Sequence, residues 1–168
     1  MPSELSRRSF LQAGAAAAIL PGLVQGADRR PPNILFFFPD QHRFDWIGSV
    51  LPEAVRTPHL DALGARGMRF LHCWCPSPVC APSRACLASG LEYDRCNVAS
   101  NRFDYPEGQE TFYAALRDAG YSVLGCGKFD LNKAEQRWGL DGKYKLGSWG
   151  FTDGVNNAGK YDAISSGK

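Results

Sequence analysis

No charge of one sign dominates this 168-residue chain: 19 Lys and Arg stand against 17 Asp and Glu, a formal net charge of +2. Several of those bases lie in or beside an N-terminal leader instead of in one patch, which argues against nucleic acid as a partner. No internal repeat appears, and no low-complexity stretch outside the leader, so fibrous and disordered classes are excluded. Histidine is scarce, at three residues, and no His pair accompanies the six cysteines. Cys73-x-Cys75 is too tight for the usual metal-binding pairs, so no zinc or iron–sulfur framework is present. The longest apolar run, Ala13 to Val24, is too short and too alanine-rich for a good membrane span, which leaves no stable membrane anchor. What remains, at 44% hydrophobic and 21% charged residues, reads as one globular unit with enough apolar side chains for a core.

The chemistry concentrates at Cys80-Ala81-Pro82-Ser83-Arg84, between the proline-rich approach Cys75-Pro76-Ser77-Pro78-Val79 and the apolar Ala85-Cys86-Leu87-Ala88. It reads as a helix entrance. Pro82 suits a first turn, where its missing N–H is not needed, and Ser83 can serve the free amides there. Cys80 is then expected just outside the helix N-terminus, where the positive end of the helix and Arg84 both favour an anion. A half-buried structural cysteine beside a surface arginine is the competing reading.

The N-terminus carries Ser6-Arg7-Arg8-Ser9-Phe10-Leu11-Gln12, which resembles the twin-arginine export motif, then the alanine-rich run, then Gly26 and Ala27 before Asp28-Arg29-Arg30. An amphipathic helix packed on the domain does not fit, because alanines occupy every face of the run. The expected organisation is a twin-arginine signal peptide at 1–26 and a domain portion at 27–168, exported already folded to the periplasm or outside the cell. The export machinery is one implied partner. Export would place Cys73, Cys75, Cys80, Cys86, Cys96 and Cys126 in an oxidising compartment, where disulfides are allowed.

Further along, Asn33-Ile34-Leu35-Phe36-Phe37-Phe38 reads as a strand buried on both faces of an α/β sheet. Asp40 then sits at its C-terminal edge, where open sheets collect ligands, or merely caps the next turn. His42, Arg43 and Asp45 read as solvated loop. Thr57-Pro58 opens a packing helix with Leu60 and Leu63 on one face and Gly67 as its stop. Met68 to Trp74 alternates and predicts a strand with His72 among its packed positions. Leu91 to Pro106 reads as loop, Thr111 to Ala119 as an amphipathic helix ended by Gly120, and Tyr121 to Leu124 as a strand. The alternation suggests a βαβ-type sheet. Lys128, in Gly127-Lys128-Phe129-Asp130, taken alone reads as solvated loop, and Gly147 to Lys168 shows no periodic core pattern.

Several of these segments together resemble the sulfatases. Cys-x-Pro-Ser-Arg at 80–84 is similar to their signature, in which the cysteine is oxidised to formylglycine. Asn33 to Phe38 followed by Asp40 is similar to their opening strand and metal-binding acid. Thr57 to Asp61, Ala119 to Tyr121, Gly127-Lys128 and Trp149 to Asp153 follow in family order. The resemblance implies an alkaline-phosphatase-like α/β sandwich, its central, mostly parallel sheet flanked by helices, here truncated. It implies Cys80, Arg84 and Lys128 as catalytic residues, with Lys128 also binding the sulfate. Asp40, Gln41 and the converted Cys80 are the implied metal ligands, and Ca²⁺ is the implied ion, with Mg²⁺ or Mn²⁺ as alternatives.

The sequence also departs from the family pattern. Gln41 stands where many members have a second aspartate, as in a branch that includes choline-sulfatase-like and phosphonate monoester hydrolases. Asp130 stands where sulfatases carry a histidine, so that histidine's role does not transfer. Asn101-Arg102 lies where the family contacts substrate, without a firm match.

The implied reaction is hydrolysis of a small-molecule or carbohydrate sulfate ester. A hydroxyl of hydrated formylglycine attacks sulfur, and the adduct then collapses to aldehyde and free sulfate. A formylglycine-generating or maturation enzyme is the implied partner. Converting Cys80 would leave five thiols, an odd number whose pairing the sequence does not assign. Family members are roughly three times as long and supply further metal ligands, so a fragment is expected. A phosphonate or phosphodiester hydrolase, or a non-catalytic exported fragment, are the alternatives.

Overall fold

The computed structural model describes residues 30–157; the leader and the tail from residue 158 lie outside the described residues. The chain divides into a unit ending at Pro39 and a unit beginning at Asp40. In the first, the expected strand Asn33–Phe38 is not formed. Leu35 is 91% exposed, and Phe36 and Phe38 stack on each other with ring centroids 5.6 Å apart. A strand buried on both faces exists only by pairing at its edges and being covered by helices. Among the described residues the sole ladder lies elsewhere, in the second unit.

The second unit opens with turns and then α1 (Pro58–Arg66), placed as expected with Pro58 at its start and Gly67 past its end. Thr57 does not cap it. The Thr57 hydroxyl instead accepts from the Gly48 amide at 2.7 Å and donates to the Asp61 carboxylate at 3.3 Å, and Asp61 accepts from the Ser49 amide at 2.9 Å. These bonds fasten α1 to the turn before it. The helix was expected to pack, yet it buries no residue, and Leu63 is 61% exposed. Nor does Met68–Trp74 form its expected strand: Met68, Phe70 and Trp74 are exposed and His72 with them. The physical reason is again an alternating face with no layer against it.

The core is built from residue 80 onward. α2 (Cys80–Ser89) buries Ala81, Pro82, Ala85, Cys86 and Ala88. Its C-terminus turns on Gly90, which takes the left-handed conformation at φ 68° and donates to the Cys86 carbonyl at 2.8 Å. α3 (Phe112–Asp118) starts where Thr111 accepts from the Ala114 amide at 3.0 Å, and the same hydroxyl donates to the Trp149 carbonyl. β1 (Leu124–Gly127) and β2 (Asp153–Asn156) pair in parallel, with Leu124 opposite Asp153 and Gly127 opposite Asn156. The connection between them carries a single 3-10 turn, Gly147–Trp149.

The strand expected at Tyr121–Leu124 begins at its last residue. Val123 still takes part through its carbonyl, which accepts from the Thr152 amide at 2.8 Å. Trp149 and Phe151, in a stretch without a periodic pattern, are buried, each 5% exposed. Phe151 packs 4.4 Å from Tyr113 and 4.7 Å from Phe129, centroid to centroid. Gly125 makes room for them: a Cβ there would lie 2.5 Å from the Phe151 ring and 2.6 Å from that of Phe129. Among the described residues no helix is long and apolar enough to cross a membrane.

Candidate active site around Cys80

Cys80 is the first residue of α2, one position further into the helix than expected; Val79, extended at φ −107° and ψ 139°, precedes it. The thiol is half-buried. The first turn closes through the Ser83 amide on the Val79 carbonyl at 3.0 Å. Ser83 does not serve the free amides: its hydroxyl lies 3.0 Å from the Cys75 sulfur. The amide of buried Ala81, next to Cys80, is instead met at 3.0 Å by the side-chain oxygen of Asn101, reaching in from the loop after α2. No signal local to residues 80–84 reveals this cap, because its partner lies in an aperiodic loop.

Arg84 follows Cys80 by four residues, so both lie on one face of α2. Its side chain is 11% exposed. One guanidinium nitrogen donates to Asp40 Oδ1 at 2.9 Å and another to the Lys128 carbonyl. Lys128 leaves the end of β1 and donates from Nζ to the same Asp40 oxygen at 3.0 Å. Three residues widely separated in sequence thus meet on one carboxylate oxygen. Burial pulls the Asp40 carboxyl upward, but its hydrogen bonds to Lys128 and Arg84 and the charges of both outweigh that and hold it below its ordinary value. Burial pulls the Lys128 ammonium downward. The Asp40 bond, with the negative charges of Asp130 and Asp40, outweighs that and raises it.

Asp130 completes the cluster. Its side chain is 1% exposed, 3.3 Å from Lys128 Nζ and 3.6 Å from Lys133 Nζ, and its Oδ2 accepts no hydrogen bond. The residue sits at φ 53°, a left-handed conformation that Asp tolerates better than most. The turn is anchored on both sides: the Tyr105 amide donates to the Leu131 carbonyl at 2.7 Å and the Asn157 amide to that of Gly127 at 3.0 Å. Buried Asn156 bonds Asn132 at 3.2 Å beneath it. Lys128 is thus no solvated loop residue. His42, Arg43 and Asp45 do lie outside this cluster, the last two as an exposed ion pair at 2.5 Å.

Gln41 is exposed beside Asp40. Among the described residues, no group of three or more His, Cys, Asp or Glu side chains could hold a metal ion. A Ca²⁺ ion takes about six to eight oxygen ligands. Here Asp40 Oδ1 already accepts from two cations, whose charge opposes a third at that place. The residues present do not by themselves fit a divalent cation.

A half-buried cysteine thus opens α2 of an α/β chain, one turn before Arg84, whose guanidinium shares one Asp40 carboxylate oxygen with the Lys128 ammonium. The chain belongs to the sulfatase family: the Sulfatase family model matches residues 32–166. The alkaline-phosphatase-like α/β class follows from that membership, and the small parallel sheet with its helices agrees with it.

The chain is 28% identical to N-acetylglucosamine-6-O-sulfatase of Bacteroides thetaiotaomicron over 137 residues, 82% of this chain and 23% of that protein. It is 34% identical to arylsulfatase A of Homo sapiens over 125 residues, 70% of this chain and 25% of that protein. With choline-sulfatase of Rhizobium meliloti it shares 32% over 114 residues, 66% of this chain and 22% of that protein. The chain thus spans about a quarter of the length of these relatives. No solved structure matches it.

Proposed function

We propose that the chain carries the nucleophile-bearing part of a sulfuric ester hydrolase site. The observation that supports this most is the meeting of Arg84 and Lys128 on one carboxylate oxygen beside the N-terminus of α2, where Cys80 begins the helix. A sulfate ester is a stable anion, and its hydrolysis needs fixed positive charge on the sulfate oxygens and a nucleophile held near sulfur. Formylglycine made from Cys80 supplies that nucleophile as a hydrated aldehyde. Lys128, largely buried and tethered at the end of β1, holds a sulfate oxygen. Arg84, one turn along α2 from Cys80, holds charge next to residue 80, and Asn101 fixes the backbone of its neighbour Ala81. Both cations come from packed elements, so little reorganisation is needed when the anion arrives.

Asp40 and Gln41 contribute to a Ca²⁺ site only together with ligands that the described residues do not hold. The ester belongs to a small molecule or a carbohydrate, as the names of the relatives suggest. The leader at 1–26 directs the catalytic portion at 27–168 through twin-arginine export to the periplasm or beyond, and a formylglycine-generating enzyme matures Cys80.

A second reading has one observation in its favour: Gln41 in place of a second aspartate is also the pattern of phosphonate monoester hydrolases. Turnover of an aryl sulfate and an aryl phosphonate by the matured chain separates the two. Faster sulfate hydrolysis supports the first reading, faster phosphonate hydrolysis replaces it with the second, and a Cys80 left as an unmodified thiol after maturation overturns both.

A further inference from the structure

The segment Gly127-Lys128-Phe129-Asp130 ends on a residue that the proposed chemistry leaves without a role. The Asp130 side chain is 1% exposed. Its Oδ2 lies 3.3 Å from Lys128 Nζ and its Oδ1 3.6 Å from Lys133 Nζ, while Oδ2 accepts no hydrogen bond. A buried carboxylate is costly unless cations or donors answer it, and no backbone amide answers Oδ2. The residues on either side fix the turn that carries it. The Phe129 amide donates to Asn156 Oδ1 at 3.4 Å, and the Phe129 ring packs on Phe151. Leu131 is 2% exposed, and its carbonyl accepts from the Tyr105 amide. What the carboxylate faces from this turn is an ammonium of the candidate site.

Lys128 has two carboxylates beside it, and they differ in kind. The Asp40 side chain is 48% exposed, so water competes with Lys128 for it. Asp40 Oδ1 is also shared with Arg84, to which it can turn alone. Asp130 is shielded from that competition. We propose that Asp130 is a positioning residue for Lys128: its buried carboxylate keeps the ammonium in the cluster with Arg84 whether or not Asp40 stays paired with it. The role rests on the reading of Lys128 as the cation that holds a sulfate oxygen.

Charge and position act here in opposite senses. Asp130 is itself an anion, and its removal by field alone would strengthen sulfate binding. Its hold on Lys128 favours the sulfate, because a cation fixed in advance needs little ordering when the ligand arrives.

Labelling of lysines in the full chain tests the role without requiring turnover or conversion of Cys80. A short pulse of an amine-acetylating reagent at neutral pH, followed by peptide mass analysis, gives the relative rate at each lysine. Asp130→Asn keeps the side-chain shape and suits the left-handed backbone. In that variant Lys128 is expected to react about fivefold faster, with half-exposed Lys143 unchanged. In Asp40→Asn, at a half-exposed position, Lys128 is expected to stay within about twofold of wild type. An equal rise at Lys128 and Lys143 in Asp130→Asn overturns the proposal, as does a rise at Lys128 in Asp40→Asn that matches the one in Asp130→Asn. The same pulse in sodium sulfate, against sodium chloride at equal ionic strength, distinguishes the role from the assignment of Lys128. Sulfate is expected to protect Lys128 in wild type and to protect it less in Asp130→Asn. Protection that is equal or greater in Asp130→Asn overturns the positioning role and leaves Lys128 as the sulfate cation. No protection in either chain removes that assignment, and the role with it.

Discussion

Asp40 is the residue on which the cluster turns. Its carboxyl lies below the ordinary 3.8 because Lys128 and Arg84 together outweigh its partial burial. A depressed carboxyl contributes stability that is present above its unfolded value and is lost as pH falls through the folded one. Lys128 behaves in the opposite sense. It is raised above 10.5, so its contribution is complete below that value and disappears as pH climbs through the folded one. The expected outcome is a stability plateau at neutral pH that falls at both ends. Asp40→Asn should flatten part of the acid limb; urea titrations of wild type and variant across that range measure it, and superimposable limbs would contradict the assignment. The Asp40 side chain is 48% exposed, so the effect is modest.

Asp130 should weigh more in stability, since it is buried between two lysines. Asp130→Asn removes the buried carboxylate that both lysines approach, and a loss of about 3 kcal/mol in urea unfolding is expected. These residues differ in how far sequence revealed them. Cys80 and Arg84 sit in one short motif whose spacing alone puts them on one helix face. Asp40 was legible as a carboxylate after an expected strand, with a turn cap as the alternative, and Lys128 only from family resemblance, because nothing local says that a loop aspartate and a residue 88 positions later meet. The Asn101 cap and the burial of Asp130 depend on tertiary packing alone.

At the scale of elements, helices with a proper start and stop were legible. Pro58, Gly67, Thr111 and Gly120 mark boundaries by their own backbone chemistry, and the structure places α1 and α3 within a residue or two of them. Thr111 contributes most, capping α3 and binding the Trp149 carbonyl from a buried position. Thr111→Ala should cost about 1–2 kcal/mol, and Thr111→Ser should recover most of it, as thermal or urea unfolding will register. Gly125→Ala should destabilise by about 1–3 kcal/mol in the same measurement, because a methyl group there meets the Phe151 and Phe129 rings. The strands read from Asn33–Phe38 and Met68–Trp74 were not formed. Alternation and apolar runs describe a strand's wish for neighbours, and a ladder needs a partner that local pattern does not supply. Phe151 and Trp149 were missed for the converse reason: single aromatic side chains enter the core from turns, without a repeating face.

For the whole molecule, the packed part is the second unit from Cys80 onward, and the candidate site lies on its polar side. Its cations are built into packed elements, whereas α1 and the segments on either side of it leave Leu63, Phe70 and Trp74 uncovered. The cluster of Asp40, Arg84 and Lys128 lies within the stretch that the Sulfatase family model matches. The central claim is that Cys80 is the precursor of the nucleophile, set at the start of α2 for conversion. Co-expression of the chain with a formylglycine-generating enzyme, followed by mass analysis of the Cys80 peptide and aldehyde-specific labelling, tests it directly. The expected result is loss of the thiol and appearance of an aldehyde at residue 80, abolished in Cys80→Ala. An unmodified thiol at Cys80 under conditions that convert a control substrate peptide would contradict the account.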